Sequence, residues 1–395
     1  MTRDFKNKTV NFLLMALAAS APLFARSPNV TKYLLILLVI AWIVRGDVSF
    51  KIPVALPLFL YVFTVLVSAA VGINPSESFR YFARHTVNLI MIFVVADCIR
   101  DKKTFNTVVK IFLISASAVC VLGLLQYAAA KWIFLKKPLA ALGVHGLMDG
   151  RICSTRRHPV TFADNIALYL PIMAAYAAYR KKFIIITAVA VMLIAIVLTY
   201  SRSAIVATGF VVIVALILFY KQTKLLMIPL CVSLIFIVLF VVAFKGMPLK
   251  KRMNFDPAGR TYGWRAASDL IRQKPLFGVG IGNVSEWYQQ TDEWKKIRLA
   301  HLHNTYIQIQ VASGVFASLT FFWLLATLLK ECIEKQKKFS TKEIEKFIFS
   351  GIILGFIALL LAGMTADIFC RAEEYYPIYF FMGITLARVF RRVPV

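Results

Sequence analysis

Arginine and histidine side chains that could bind or react with a substrate are concentrated in one long polar stretch of this sequence. Residues 245–302 carry eleven Lys and Arg against five acidic residues, and they lie between two apolar runs. The stretch leads to His301, His303 and Asn304, where the next apolar run begins. Imidazole exchanges a proton near neutral pH, and guanidinium binds phosphate through two parallel hydrogen bonds. These residue types favour chemistry on an anionic substrate at a membrane boundary.

His303 is the candidate general base for such chemistry. His301 stands two residues earlier, so the two imidazoles do not share a helix face, and a metal held by the pair is disfavoured. Asn304 is placed to orient a ligand. The alternative is a structural histidine at a helix start. No CxxC or HExxH pattern indicates a metal, and we predict no cofactor.

Three arginines are candidates for binding an anion. Arg202 lies between two apolar runs that are joined by almost nothing, and an arginine so close to hydrocarbon is costly and often functional. The alternative is an anchor to lipid headgroups. Arg260 and Arg265 lie near a predicted helix start, where backbone amides would add to a phosphate site. Their alternative is a solvated basic face.

Further candidates for substrate contact are polar residues next to other apolar runs: Arg156, Arg157, His158 and Asp367. The first three would form a second wall of the anion site or anchor the following helix to headgroups. Asp367 would orient His303, bind a sugar hydroxyl, or pair with Arg371 four residues on.

Composition places these residues in a membrane protein. Of the 395 residues, 60% are hydrophobic and 16% are charged, which excludes an ordinary soluble domain. The apolar runs have the length that crosses about 30 Å of hydrocarbon. We predict one all-α polytopic membrane domain over residues 1–395, with about twelve transmembrane helices. The runs are 9–25, 30–44, 52–72, 79–97, 104–129, 162–179, 183–200, 203–220, 225–245, 303–329, 346–366 and 375–390.

The distribution of Lys and Arg predicts the orientation. Most of those in short connections fall on the side that holds both termini, so that side is predicted to be cytoplasmic. Two long basic loops, 130–161 and 246–302, then face outward. Their charge indicates phosphates or lipid headgroups as partners. We predict neither a nucleic acid nor an obligate protein partner.

The 246–302 loop, between spans nine and ten, is predicted to be partly helical. Residues 261–274 have the apolar spacing of an amphipathic helix, which Pro275 would end. Gly278, Gly280 and Gly282 then predict a flexible turn.

Three motifs in this order resemble those of the O-antigen ligase family, which is grouped with the O-antigen polymerases. The first is TYSRS at residues 199–203. The second is GRTYGW at 259–264, followed by PLFGVGIGN at 275–283. The third is HN at 303–304 with Gly314 after nine further residues, and it departs from the family pattern at Ala317.

The resemblance implies an inverting, metal-independent glycosyltransferase with a fold like that of GT-C enzymes. It would act at the periplasmic face of the bacterial inner membrane on a glycan carried by undecaprenyl diphosphate. A ligase transfers that glycan to a sugar hydroxyl of the lipid A core, giving lipopolysaccharide, whereas a polymerase extends the glycan. By resemblance, Arg202 and Arg260 would bind the diphosphate and His303 would be the base. A relative that glycosylates proteins stays open.

Two other classes of function compete with this prediction. A flippase or transporter for a lipid-linked sugar would also need a cationic cavity. No internal repeat of the kind common in secondary transporters is evident, and the candidates concentrate at one predicted face. A non-catalytic scaffold would give no reason for Arg202, Arg260 and His303 to lie at similar depth.

Overall fold

Helices form the regular structure of this protein, in a computed structural model that describes residues 2–23, 28–130, 132–214, 257–291, 302–369 and 375–390. Within these ranges there is no strand, and the all-α prediction is confirmed for them. The helices are α1 (Arg3–Leu23), α2 (Pro28–Arg45), α3 (Ala55–Ala70), α4 (Pro75–Cys98), α5 (Lys102–Ala129), α6 (Lys136–Ala141), α7 (Pro159–Arg180), α8 (Phe183–Leu198), α9 (Arg202–Val214), α10 (Pro257–Gln273), α11 (Val284–Gln290), α12 (Thr305–Lys338), α13 (Ile344–Ala362) and α14 (Tyr376–Thr385).

Five of the described helices are long and apolar enough to cross a membrane: α4, α5, α7, α12 and α13. The apolar helices α3, α8 and α9 are shorter. Each predicted run overlaps a described helix except 225–245, which lies outside the described residues. The total of about twelve spans and the outer placement of the long loops stay predictions.

Side-chain caps and prolines set several helix starts. Asn74 precedes α4 and accepts the N–H of Glu77 at 3.2 Å, with Pro75 in the first helical position. Asp101 precedes α5 and accepts the N–H of Thr104 at 2.7 Å. Such caps satisfy amides that have no partner within the helix, and proline lacks the amide altogether.

Two glycines let α13 lie directly against α7. A Cβ on Gly351 would come within 2.6 Å of the Cα of Ile172, and one on Gly355 within 2.8 Å of the carbonyl oxygen of Leu168. Small residues allow such close approach of transmembrane helices. Because the later residue of α13 meets the earlier residue of α7, the two helices are antiparallel.

The helices α3 and α12 are also antiparallel. Ser68 donates its hydroxyl to the carbonyl of Ala312 at 3.1 Å, and the hydroxyls of Thr64 and Thr320 lie 3.3 Å apart. The end of α3 therefore lies beside the start of α12.

Helix α12 is broken at Gly314, where φ is +77° and ψ is −175°. Residues 275–283, which we call the inserted segment, pack into this break. Val279 donates its N–H to the carbonyl of Val311 at 3.1 Å, and Gly280 donates to that of Ala312 at 2.9 Å. Irregular backbone of this kind is tolerated at membrane depth only where protein or a water-filled cavity satisfies its polar groups.

The predicted turn is confirmed in the inserted segment, and its glycines serve close packing. Gly278 and Gly282 have φ of +65° and +94°. A Cβ would come within 2.5 Å of the carbonyl oxygen of Val311 at the first position and of the Tyr81 ring at the second. Spacing alone did not distinguish these requirements from flexibility, because glycine serves both.

A small apolar core joins the inserted segment, α10 and α11 to the start of α12. The predicted amphipathic helix is confirmed as α10, which begins earlier than predicted and ends just before Pro275. The buried members of the core come from all four elements: Ala266, Ala267, Leu270, Val279, Val284, Trp287, Tyr288, Leu302, Val311 and Ala312.

An ion-pair network lies at the end of the bundle opposite the start of α12. The fully buried carboxylate of Asp97 accepts hydrogen bonds from Trp42 at 2.8 Å, Arg45 at 3.1 Å, Arg100 at 3.3 Å and Arg388 at 3.1 Å. It ties α2 and α4 to the turn after α14, since a buried charge needs several partners.

Candidate active site

His303 lies in a short turn whose two neighbours are both held. Its φ is +51°, an uncommon value for a residue other than glycine. Asn304 caps α12 and accepts the N–H of Tyr306 at 3.0 Å. On the other side, the side-chain carbonyl of Gln308 accepts the N–H of Leu302 at 3.1 Å. The backbone that presents the imidazole is therefore fixed from both directions.

The turn after α13 braces this histidine turn. The carboxylate of Asp367 accepts the N–H of Asn304 at 3.1 Å, and the amide of Asn304 donates to the carbonyl of Met364 at 3.0 Å. Thr305 donates its hydroxyl to the carbonyl of Ala366 at 2.7 Å. These three hydrogen bonds hold the start of α12 against the turn that follows α13.

Asp367 thus supports the backbone next to His303. Its carboxylate is buried and contacts the N–H that follows the histidine. Orientation of the His303 imidazole by Asp367 stays a prediction. Arg371, the alternative partner, lies outside the described residues, and contact of Asp367 with a sugar hydroxyl stays a prediction.

Helix α10 reaches the same turn through an indole. Trp264 donates its Nε1–H to the carbonyl of Leu302 at 3.2 Å. Arg260 lies four residues earlier, on the same helix face one turn away. The side chain of Arg260 is outside what the structure describes, whereas that of Arg265 is exposed. The structure therefore sets α10, the helix that carries Arg260, against the turn of His303 through Trp264.

Arg202 begins α9 at a tightly fixed junction, with its side chain exposed. Tyr200, two residues before it, has a φ of +50°. Arg151 donates its Nε–H to the carbonyl of Thr199 at 2.6 Å, which ties the junction to the loop before α7. The junction thus holds the arginine at the end of two apolar helices.

The three residues before α7 have different surroundings. Arg156 is 1% exposed and donates to the carbonyl of Pro22 at 3.1 Å, so it anchors the loop to the end of α1. His158 caps α7 by accepting the N–H of Val160 at 3.2 Å. Arg157 is exposed. Burial sets Arg156 apart from the other two, and an anion-binding role for the three stays a prediction.

Helix directions place several candidates at one end of the bundle. Because α7 and α13 are antiparallel, His158 before α7 and Asp367 after α13 lie at the same end. Asp367 contacts the turn of His303. The N–H of Ile152 bonds to the carbonyl of Leu198 at 3.2 Å, which brings the junction of Arg202 to the loop before α7.

The described side chains contain no group of three His, Cys, Asp or Glu that could hold a metal ion. His301 lies outside the described residues, so a metal held by the two histidines is not tested.

Comparison with known proteins identifies the segment that carries these residues. The sequence pattern of the family described as O-antigen ligase matches residues 187–322, which include Arg202, Arg260 and His303. The chain carries an O-antigen ligase domain. This match confirms the resemblance drawn from the motifs. A search of curated proteins finds no match.

The matched residues include most of α8, all of α9, α10 and α11, and the first half of α12. The family and the apolar helices support a multi-pass membrane protein with a glycosyltransferase-like activity, in the superfamily of O-antigen ligases and polymerases. The braces from Asp367 and the loop before α7 lie outside the matched residues, so the site depends on more of the chain than the domain.

Several supporting residues were absent from the predicted site. Gln308 holds Leu302, and Gly314 admits the inserted segment into α12. The signal for Gln308 is a polar residue one helical turn after the Asn304 cap. His85, buried within α4, was also absent, although an ionisable residue within an apolar run is a signal in itself.

Proposed function

We propose that the protein is an O-antigen ligase of the bacterial inner membrane. It transfers a glycan from undecaprenyl diphosphate to a sugar hydroxyl of the lipid A core at the periplasmic face, without a metal and with inversion. The observation that carries this proposal is the hydrogen bond from Trp264 to Leu302. It sets the helix that carries Arg260 against the turn that carries His303, as a site for a diphosphate beside a base requires.

The residue types suit the reaction. The acceptor oxygen attacks the anomeric carbon while the bond from that carbon to the phosphate oxygen breaks, and the diphosphate leaves with the electron pair. His303 takes the proton of the acceptor hydroxyl. Arg202 and Arg260 neutralise the charge that grows on the diphosphate, which is most effective where water is scarce. The glycosyl–diphosphate bond supplies the energy, so no nucleotide is needed.

The test is glycan transfer by purified protein, from a lipid-linked donor to lipid A core in detergent. His303→Ala should lose about 10²–10⁴ in rate, the usual contribution of a general base, while still binding the donor. His145→Ala is the matched control, because His145 is an exposed histidine in another loop. Transfer by His303→Ala at the parent rate would contradict the assigned base.

A second variant tests how the diphosphate is held. Arg202→Lys keeps the charge but loses the planar fork of two donors, so it should weaken both donor binding and transfer. Arg180→Lys makes the same change at an exposed arginine that ends α7 and is not a candidate for the site. If Arg202→Lys were fully active, direct contact between Arg202 and the diphosphate would be excluded.

The acceptor separates this proposal from its relatives. Surface polysaccharide of a deletion strain should contain complete core without attached polymer. Core that carries single repeat units would indicate a polymerase, and loss of glycan from a secreted protein would indicate a protein-glycosylating relative. A flippase would give no transfer in detergent at all.

A further inference from the structure

A long groove lies between α5, α7 and α8 and opens on the surface of the bundle. Its volume is about 610 Å³, which is within the usual range of ligand sites. Most of its lining is apolar, and several of the lining side chains are exposed. The apolar members include Leu113, Ile114, Val121, Met173, Ile184 and Val191.

Three basic side chains lie at one end of the groove. Lys110, Arg180 and Lys182 line it near the point where α7 ends and where α5 and α8 begin. No Asp or Glu is among the described lining residues. A basic end and an apolar interior match an amphiphile with an anionic head and a hydrocarbon chain.

The basic end of the groove is opposite the histidine turn. Helix α7 starts after His158, at the end of the bundle where Asp367 contacts the histidine turn, and it ends at Arg180. Its 22 residues extend over about 33 Å. A diphosphate held beside His303 therefore cannot reach the basic end, so the groove is a separate site. The distribution of Lys and Arg predicts that this end faces the cytoplasm.

Two of the three cations are available to a ligand. Lys110 is exposed and lies eight residues from the start of α5, inside the apolar run 104–129. Neither Lys110 nor Lys182 has a hydrogen bond or an ion pair with a described residue. Arg180 differs, because its guanidinium already lies 5.7 Å from the ring centroids of Tyr176 and Tyr179. An ammonium group beside hydrocarbon is costly until an anion compensates it, so the two lysines are the candidates for binding the head.

The dimensions of the groove fit one acyl chain. Lys110 and Val121 line it eleven residues apart, which is about 16 Å along α5. That length is close to half of a hydrocarbon core of about 30 Å, the depth of a single leaflet. At about 30 Å³ for each water-sized group, the groove has room for about twenty such groups. A chain that crosses both leaflets would extend beyond it.

We propose that this groove binds an anionic phospholipid of the cytoplasmic leaflet, with one acyl chain along α5 and α8 and the phosphate at Lys110 and Lys182. Basic pockets between transmembrane helices on this side of a membrane bind anionic headgroups. The bound lipid bridges the starts of α5 and α8, and its binding does not depend on the proposed glycan transfer.

The first experiment tests the headgroup. Native mass spectrometry of the purified protein in detergent compares phosphatidylglycerol with phosphatidylcholine of the same acyl chains, and phosphatidylglycerol should bind more tightly. The double variant Lys110→Gln with Lys182→Gln should bind phosphatidylglycerol about 25-fold more weakly, at about fivefold for each lysine. Its affinity for phosphatidylcholine should not change.

The matched control is Lys337→Gln with Lys338→Gln. It makes the same change at two exposed lysines at the end of α12, which do not line the groove. Equal affinity of the parent for the two lipids, or equal losses in the two double variants, would overturn the proposal. Competition by glycerol phosphate as strong as that of the whole lipid would also overturn it, as would displacement by undecaprenyl diphosphate at lower concentration.

The second experiment locates the acyl chain. Phosphatidylglycerol with a diazirine in one acyl chain, in lipid nanodiscs, should cross-link to α5 between residues 113 and 121 and to α8 between residues 184 and 191. An excess of unlabelled phosphatidylglycerol should prevent these cross-links, and phosphatidylcholine should not. Ala188→Trp fills the groove and should abolish them, whereas Ala118→Trp, at an exposed position of α5 outside the groove, should not.

Two results of this experiment would contradict the proposed lipid site. One is cross-links that persist in a folded Ala188→Trp protein, since the chain then lies elsewhere. The other is the absence of cross-links from the groove of the parent, which would mean that a second copy or another part of the chain fills it.

Discussion

The indole of Trp264 donates a hydrogen bond to the backbone carbonyl of Leu302 at 3.2 Å, which joins the helix of Arg260 to the turn of His303. These two candidates lie more than forty residues apart in the chain. The hydrogen bond therefore links two motifs that are distant in the sequence. Residues 292–301 between them lie outside the described part of the chain.

Removing that bond should reduce transfer with little loss of stability. Trp264→Phe keeps an aromatic ring but has no N–H to donate. A single hydrogen bond contributes about 0.5–1.5 kcal/mol, so we expect kcat/KM to fall about 2–10-fold. Trp132→Phe is the control, because Trp132 is exposed and stacks only on Phe134 among the described rings. Equal transfer by both variants would show that the contact does not position the site.

Asp367 should act through its acceptor oxygen. Asp367→Asn keeps a side-chain oxygen for the N–H of Asn304, whereas Asp367→Ala leaves that amide without it. An unsatisfied buried donor costs about 1–3 kcal/mol, so the alanine variant should lose about 5–100-fold in kcat/KM. The asparagine variant should keep most of the activity, with an unchanged pH profile. If both variants lost activity equally, the charge rather than the hydrogen bond would be responsible.

The sequence was most informative about helices and motifs. Apolar runs of membrane length predicted every described long helix, because hydrocarbon requires such runs whatever the tertiary packing. The amphipathic helix before Pro275 was predicted from its apolar spacing, because that spacing indicates that one helix face is buried. Arg202, Arg260 and His303 followed from their residue types and from the resemblance.

Packing against distant residues could not be predicted in the same way. The break in α12 depends on Gly314 meeting Leu276, and neither residue identifies the other in the sequence. Arg156 was predicted to line the anion site or to anchor a helix to headgroups, and the sequence did not indicate that it donates to the carbonyl of Pro22. In each example the decisive partner lies far along the chain, so local pattern carried no information about it.

Gly314 should tolerate no side chain. Its φ of +77° and ψ of −175° belong to a region that is essentially confined to glycine. A Cβ would also come within 2.1 Å of the carbonyl oxygen of Leu276. Gly314→Ala should therefore destabilise the protein by at least about 1–3 kcal/mol or displace the inserted segment. Thermal unfolding in detergent measures this loss.

Gly209→Ala is the matched control for that variant. Gly209 lies in α9, and a Cβ there would have no atom of the described residues within 4 Å apart from the backbone of its own helix. Alanine is favoured over glycine in a helix by up to about 1 kcal/mol, so this substitution should be neutral or stabilising. A Gly314→Ala protein as stable and active as Gly209→Ala would show that the break in α12 needs no glycine.

Asp47 should give the protein a stability that depends on acid pH. Hydrogen bonding from Arg100 lowers the pKa of Asp47 to about 2, with a further contribution from Arg45. The carboxylate is thus more stable in the folded state than in the unfolded chain, where its pKa is about 3.9. Its contribution is complete above the unfolded pKa and is lost as the pH falls through the folded pKa. The difference in unfolding free energy between the parent and Asp47→Asn should therefore be constant near neutral pH and shrink as the pH falls from about 4 towards 2.

Asp4→Asn removes an exposed carboxylate paired with Lys8, and it should change stability little at any of these pH values. A difference for Asp47→Asn that did not vary with pH would show that Arg100 and Arg45 do not stabilise the ionised form.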